Sequence, residues 1–253
     1  MNSPKISVCI PAYEMNRLGA AYLDESFTAL DQQDFFDFEV VVSDQSNDLA
    51  VHELCKRWSD RLNIKHVWNL EGARRASTNV NRALDEASGD ILKVLFQDDY
   101  LCLPDALTRV YSSLSTSMSP WLLSGSGVTH DGHTIERPMV PTLSDKLHFG
   151  KNTVSSPSVL AIRKECPERF DPNLVWLMDV EYYKRLWTAY GDPVILSDIS
   201  VANRIHKGQV SAGIDRALQA KELDYTWRNH ASTTSLSGKI EYARRRLKTL
   251  ISS

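Results

Sequence analysis

The segment Leu95-Phe-Gln-Asp-Asp99 sets two carboxylates side by side at the end of an apolar run. Adjacent carboxylates at a buried strand end repel each other and lose hydration. A divalent cation relieves both penalties, and Mg2+ and Mn2+ favour carboxylate ligands combined with substrate phosphate oxygens. The competing account is that Asp98 and Asp99 cap the loop and a helix beginning near Pro104. A second acidic turn, Asp44-Gln-Ser-Asn-Asp48, follows another apolar run. Asp44 can accept from a nucleobase or a ribose hydroxyl there; an Asx-type turn or an N-cap before Leu49 is the simpler use of such residues. Tyr13 offers a flat face to a base, or packs against a sheet. Arg74 and Arg75 open a helical stretch, where cations oppose the macrodipole. An anion such as a diphosphate would compensate them.

These residues need elements that bring them together. Four β-rich runs, Ile6–Ile10, Glu39–Ser43, Ile64–Trp68 and Ile91–Phe96, alternate with helical patterns at Leu18–Leu30, Leu49–Trp58 and Glu71–Ala87. In the last of these, Ala73, Ala76, Val80, Ala83, Leu84 and Ala87 fall at steps of three and four, and Ser88-Gly89 ends the pattern. The alternation predicts an α/β fold, a mostly parallel, Rossmann-like sheet flanked by helices. Ligands of open α/β sheets bind beyond the carboxyl ends of the strands, and the loops holding Tyr13, Asp44 and Gln97–Asp99 all lie there. The second half is less regular. Trp121–Leu123, Ser158–Ile162 and Val194–Leu196 read as strands, and Asp179–Tyr190, Ile214–Arg228 and Lys239–Ile251 as helices.

Composition removes whole classes of function. The 253 residues carry 29 basic and 32 acidic side chains, a net charge of −3, so the chain is no nucleic-acid binder by charge. Length fits one large domain, or one with a small appendage. No apolar run reaches the roughly 18–20 residues of a membrane span, and residues 1–5 lead straight into a strand-like run rather than a secretory signal. Cys9, Cys55, Cys102 and Cys166 have no metal-site spacing and read as reduced thiols of a cytoplasmic protein. The first strand is followed by Pro11-Ala-Tyr-Glu14 instead of a glycine-rich phosphate loop, and no Walker A motif occurs. Dinucleotide and P-loop chemistry are thereby set aside.

Taken in order, Ile6-Ser-Val-Cys-Ile-Pro-Ala-Tyr-Glu14, Val40-Val-Val-Ser-Asp-Gln-Ser-Asn-Asp48, Asn81–Asp90, Phe96-Gln-Asp-Asp99, Trp176-Leu-Met-Asp-Val-Glu181 and Arg204-Ile-His206 resemble glycosyltransferase family 2. Those are inverting enzymes of GT-A fold that use nucleotide-diphosphate sugars. The resemblance spans about residues 5–212. It implies nucleoside contacts from Pro11, Tyr13, Glu14 and Asp44, and a basic donor contact from Arg75. It also implies a DXD-type donor and metal site at Gln97, Asp98 and Asp99, with Asp99 as the direct ligand of Mn2+ or Mg2+. Phe96 stands where many members have the first aspartate of that motif. Asp179 matches the family's catalytic base, which takes a proton from the attacking acceptor hydroxyl; Met178 replaces the preceding glutamate. At a helix start the dipole should keep Asp179 ionised at neutral pH. Glu181, four residues before Arg185, has a plainer use as an ion pair. Arg204 and His206 match a loop that closes on the diphosphate, with Arg204 offsetting leaving-group charge and His206 on metal or phosphate. Ser158 and Trp176 fall where an acceptor would lie.

The resemblance implies a glycan or lipid-linked saccharide acceptor and a role in surface polysaccharide synthesis. The organisation it suggests is a transferase domain over 1–212, divided at 103/104 into a donor half and an acceptor half, followed by a helical extension over 213–253. Two other readings remain open, a sugar nucleotidyltransferase and a non-catalytic nucleotide-sugar-binding module. From Gly238 onward the basic residues Lys239, Arg244, Arg245, Arg246 and Lys248 face Glu241 alone. The expected arrangement is an apolar face docked on the domain with the cations outside. The alternative is peripheral contact with an anionic membrane.

Overall fold

The structure, a computed structural model, describes residues 3–206, 208–209 and 213–251. Its first part alternates β1 (Ile6–Ala12), α1 (Gly19–Asp31), β2 (Phe38–Asp44), α2 (Ala50–Trp58), β3 (Ile64–Trp68), α3 (Ala76–Glu86) and β4 (Ile91–Val94). The remainder comprises β5 (Tyr100–Leu101), α4 (Ala106–Thr116), β6 (Trp121–Thr129), β7 (Glu136–Met139), β8 (Leu160–Arg163), α5 (Met178–Tyr190), β9 (Val194–Arg204), α6 (Arg216–His230) and α7 (Leu236–Ile251). One sheet runs in the order β3-β2-β1-β4-β8-β6-β9-β5, with β7 beside β6. The first four strands are parallel. β8 is antiparallel to both β4 and β6, which restores the original direction for β6 and its parallel neighbour β9. The sheet is therefore mostly parallel, as the alternation predicts. β1 is buried along its whole length and β2 along nearly all of it, the consequence of helices on both faces.

Several boundaries differ from the pattern, each for a local reason. β1 continues through Pro11 to Ala12. β4 leaves its ladder at the Cys9–Val94 pair, so only β2 flanks Pro11 and its missing N–H costs nothing on the β4 side. α3 begins at Ala76, not Glu71, because Gly72 takes a φ of 77° and the chain stays a loop through Arg75. β6 and β9 run much longer than expected. They pair despite a register irregularity at Gly125, where a Cβ would stand 2.6 Å from the Asp198 carbonyl oxygen. The expected strand start at Ser158 is instead a 3-10 turn, Pro157–Val159, whose N-cap is Ser156.

The last two helices correct the reading of the basic tail. α6 buries Glu222, Leu223 and Thr226, so it belongs to the body of the domain. The proposed break at residue 212, like Ser211, lies outside the described residues. α7 docks by the face opposite to the one expected. Gly238 and Glu241 are buried, Tyr242 stacks on Trp227 at 4.5 Å, and its hydroxyl donates to Asp224 at 3.0 Å. Arg245 pairs with buried Glu241 at 2.6 Å. Leu236, Ile240, Leu247, Leu250 and Ile251 are left exposed. No helix among the described residues is long and apolar enough to cross a membrane.

Candidate active site

The strand ends converge on a cavity of about 440 Å³, walled on one side by Pro11, Tyr13, Glu14, Gln45, Arg75 and Gln97–Asp99. Residues of the second half, including Ser156, Trp176, Asp179 and Asn203, close the other side. Pro11 is buried at the end of β1 and Tyr13 is half-buried in the next loop. That loop is clamped to the β4 end by Gln97, whose Oε1 accepts from Tyr13 N at 2.6 Å while Nε2 donates to Tyr13 O at 3.0 Å. Glu14 accepts from the Asn47 side chain at 2.9 Å and from Asn47 N at 3.2 Å. Burial works to raise its pKa, but these bonds and nearby Arg74 hold it below the usual value. Arg75 occupies the N-cap position of α3 and donates to Pro172 O at 2.6 Å.

Asp44 is not brought to the cavity wall. It is fully buried, with Oδ1 accepting from Ser46 N at 2.8 Å and Oδ2 bonded to His66 Nε2 at 2.9 Å. Its neighbour Gln45 faces the cavity instead, buried, with an Nε2 that has no hydrogen-bond partner. An unpaired buried amide carries a desolvation cost of about 1–3 kcal/mol, which a bound acceptor would remove.

Asp98 and Asp99 have different surroundings. Asp99 Oδ2 accepts from Ser158 Oγ at 2.5 Å and Ser156 Oγ at 3.3 Å, and Oδ1 from Arg204 N at 3.1 Å. Burial first, and then the charge of Asp98, push its pKa well above the ordinary carboxylate value. Below it the Lys93 ammonium, pushed down to about 7 by burial, donates to the carbonyls of Val94 and Ser158. Asp98 Oδ2 meets His206 Nε2 at 3.0 Å, and Gly208 N donates to His206 Nδ1 at 3.1 Å. With Nδ1 accepting, Nε2 is the protonated nitrogen, so His206 orients Asp98 and has no free lone pair for a cation. Among the described residues no group of three or more His, Cys, Asp or Glu side chains is gathered to hold a metal. The carboxylate oxygens of Asp98 and Asp99 nonetheless fit Mg2+ or Mn2+. Their enclosure and mutual repulsion are what a cation offsets, and such ions draw their other ligands from phosphate and water.

Two sequence expectations are corrected here. Arg204 ends β9 on the face opposite Asn203, because successive strand residues alternate. Its guanidinium bonds Glu25, donates to Asp98 O at 3.2 Å and lies 4.8 Å over the Tyr22 ring, behind the cavity wall. Ser158 is likewise no acceptor contact. The 3-10 turn carries it inside, where Oγ donates to Asp99 and accepts from Phe96 N at 2.9 Å.

Asp179 sits in the first turn of α5 at the cavity edge. Burial pushes its carboxyl up to about 6, against hydrogen bonds from Val180 N at 2.8 Å and Asn152 Nδ2 at 3.0 Å. The helix start does not hold it low, as expected from the dipole alone; enclosure outweighs it. The loop before it is fixed from α6, where Glu222 accepts from the backbone N–H groups of Val175, Trp176 and Leu177 at 2.8–2.9 Å. Trp176 lies against Gly150, which has a φ of 86° and where a Cβ would stand 2.9 Å from the indole. Glu181 is outside the cavity, gripped by Arg185 at 2.9 Å and His230 at 3.0 Å.

Sequence reasoning missed Gln45, Asn152, Ser156, Asn203 and Glu222. Asn203 bridges Ser155 and Ser156, and Ser155 is held at a φ of 108°, a strained value for a side-chain residue. Gln45 was visible as the cavity-side neighbour of Asp44. Nothing in the α6 pattern marks Glu222, because a buried acid on a helix is indistinguishable in sequence from a solvated one.

The model of the family described as Glycosyl transferase family 2 matches residues 7–164. A GalNAc(5)-diNAcBac-PP-undecaprenol beta-1,3-glucosyltransferase of Campylobacter jejuni is 32% identical over 101 residues, 39% of this chain and 31% of that protein. A validoxylamine A glucosyltransferase of Streptomyces hygroscopicus is 36% identical over 94 residues, 36% of this chain and 21% of that protein. The matches thus span less than a third of either relative. Among solved structures, Staphylococcus aureus TarS 1-349 in complex with UDP-GlcNAc superposes with a TM-score of 0.70 at 18% identity, covering 97% of this chain and 71% of that one. The mannosyltransferase PcManGT of Pyrobaculum calidifontis, in complex with GDP-Man and Mn2+, gives a TM-score of 0.65 at 18% identity, covering 92% and 65%. The chain shares the fold of both.

Proposed function

The chain belongs to glycosyl transferase family 2, and from that premise we propose that it transfers a sugar, with inversion, from a nucleotide-diphosphate donor to a hydroxyl of a glycan or lipid-linked acceptor. Surface polysaccharide assembly is the process this would serve. The observation that carries the reading is a single cavity lined both by Asp98 and Asp99 and by Asp179. The acceptor hydroxyl oxygen forms its bond to the anomeric carbon as the bond to the diphosphate breaks. The electron pair leaves with the diphosphate, and the hydroxyl proton passes to Asp179. A carboxyl raised to about 6 is ionised at neutral pH yet a better base than an ordinary aspartate.

Tyr13, Gln45 and Arg75 line the donor wall, with Asp44 fixing the turn that presents Gln45. Trp176 offers an apolar face to a sugar ring. A divalent cation, when bound, would neutralise diphosphate charge; Asp98 and Asp99 would hold it, with His206 orienting Asp98. Incubating the protein with a panel of nucleotide sugars and Mn2+, then with EDTA, tests this. The expected result is metal-dependent release of nucleoside diphosphate and an acceptor product of inverted anomeric configuration by NMR. Retained configuration would refute the direct displacement. Full turnover in EDTA would refute the metal.

A further inference from the structure

We infer that α7 is a membrane-surface helix, seating an exposed apolar stripe in the interface of an anionic bilayer. Leu236, Ile240, Leu247, Leu250 and Ile251 are each between 53% and 75% exposed. At about 100° per residue they fall, with Ala243, within an arc of roughly 100° centred on the solvent side. Lys239 and Arg246 border this arc on one side, and Arg244 and Lys248 on the other. The opposite face is the docked one, through Gly238, Glu241, Tyr242 and Arg245. Glu241 is the only acid of α7 and is buried, paired with Arg245 and Arg244. The outward side is therefore an apolar strip between rows of cations, with no exposed carboxylate of its own.

That pattern matches a lipid interface, where the strip enters the acyl boundary and long basic side chains reach outward to phosphates. It does not suit a second copy. A two-fold pairing of α7 helices would set Lys239, Arg244 and Lys248 against their own equivalents, and like charges beside an apolar seam oppose association. The helix is too short and too charged to span, so it lies on the surface. Its docked face bears on the segment that ends at Gly150. A Cβ on Gly238 would stand 2.7 Å from Asp145 O, and one on Gly150 would stand 3.1 Å from Arg245 and 2.9 Å from Trp176. Seated on a bilayer, α7 would hold the Trp176 wall of the cavity about one helix diameter, roughly 10 Å, from the lipid. Access to a lipid-linked acceptor is the one consequence that rests on the proposed transfer; lipid binding does not.

Flotation of the full chain with vesicles of phosphatidylcholine alone, or with added phosphatidylglycerol, tests the inference. Binding is expected only to the anionic vesicles and should weaken with salt. Removing Lys239 or Lys248 should weaken it about fivefold each. The double variant Leu247→Glu with Leu250→Glu should abolish it while leaving melting temperature and nucleotide-diphosphate binding unchanged, since both positions are exposed. Equal binding to both vesicles, or binding to neither, would overturn the inference. So would a concentration-dependent dimer in analytical ultracentrifugation that the double variant dissolves, because the stripe would then belong to a second copy.

Discussion

Replacing Asp179 by asparagine should separate catalysis from stability in opposite directions. The carboxyl has been raised from 3.8 to about 6, chiefly by burial. At about 1.4 kcal/mol per decade of proton affinity, that is a penalty of up to roughly 3 kcal/mol for holding the ionised form in the folded chain. The sign follows from linkage. A group with a raised folded pKa contributes stability that is fully present below 3.8 and lost as pH rises through about 6. At pH 7 the wild type therefore bears the penalty and the asparagine variant does not. Asparagine keeps the shape and an oxygen for Val180 N, so melting at pH 7 should rise by a few degrees, at about 2–4 °C per kcal/mol for a chain of this size. The gap should close as pH falls through 6. Turnover should move the other way. Loss of a general base costs about 10²–10⁴-fold in kcat, with donor binding by calorimetry nearly intact. The wild-type kcat/KM should fall about tenfold per pH unit below 6, where an ordinary aspartate would leave it level to about pH 4. A level profile to pH 4.5, or an Asp179→Asn variant with near-normal turnover, would refute the assignment.

Other outcomes follow from the same geometry. Glu222→Gln puts an amide NH2 where backbone N–H groups donate, so it should lower kcat with little change in donor KM and cost about 1–3 kcal/mol in urea unfolding. It should also move the acid limb of the pH profile down, because the Glu222 charge helps to raise Asp179. Gln45→Ala should weaken nucleoside diphosphate binding about 2- to 10-fold by titration, the value of a neutral hydrogen bond of about 0.5–1.5 kcal/mol; unchanged affinity would mean the amide meets no ligand. Asp44→Ala removes the bonds to Ser46 N and His66, so it should lower the melting temperature as well as donor affinity, whereas a pure ligand contact would alter affinity alone.

The sequence by itself determined the parallel α/β frame, because buried strands and amphipathic helices are written in local periodicity. The Cys9 strand, the α3 stripe and the Glu181–Arg185 pair are all consequences of spacing within one element. Ordered motifs likewise indicated that Gln97–Asp99 and Asp179 belong to one site. What a side chain faces was decided only by tertiary packing. Alternation along β9, once its true length is known, turns Arg204 away from the cavity and Asn203 toward it. The 3-10 turn at Pro157 buries Ser158 under Asp99, and the turn after β2 hides Asp44 behind Gln45. The same limit inverted α7. An apolar stripe has the same period whether it faces core or solvent, and only the stacking of Tyr242 on Trp227 and the burial of Glu241 fix which face docks. The pKa of Asp179 shows why energetics follow suit: position in a helix is local and legible, but enclosure by Asn152 and the Glu222-held loop is assembled from segments distant in the chain.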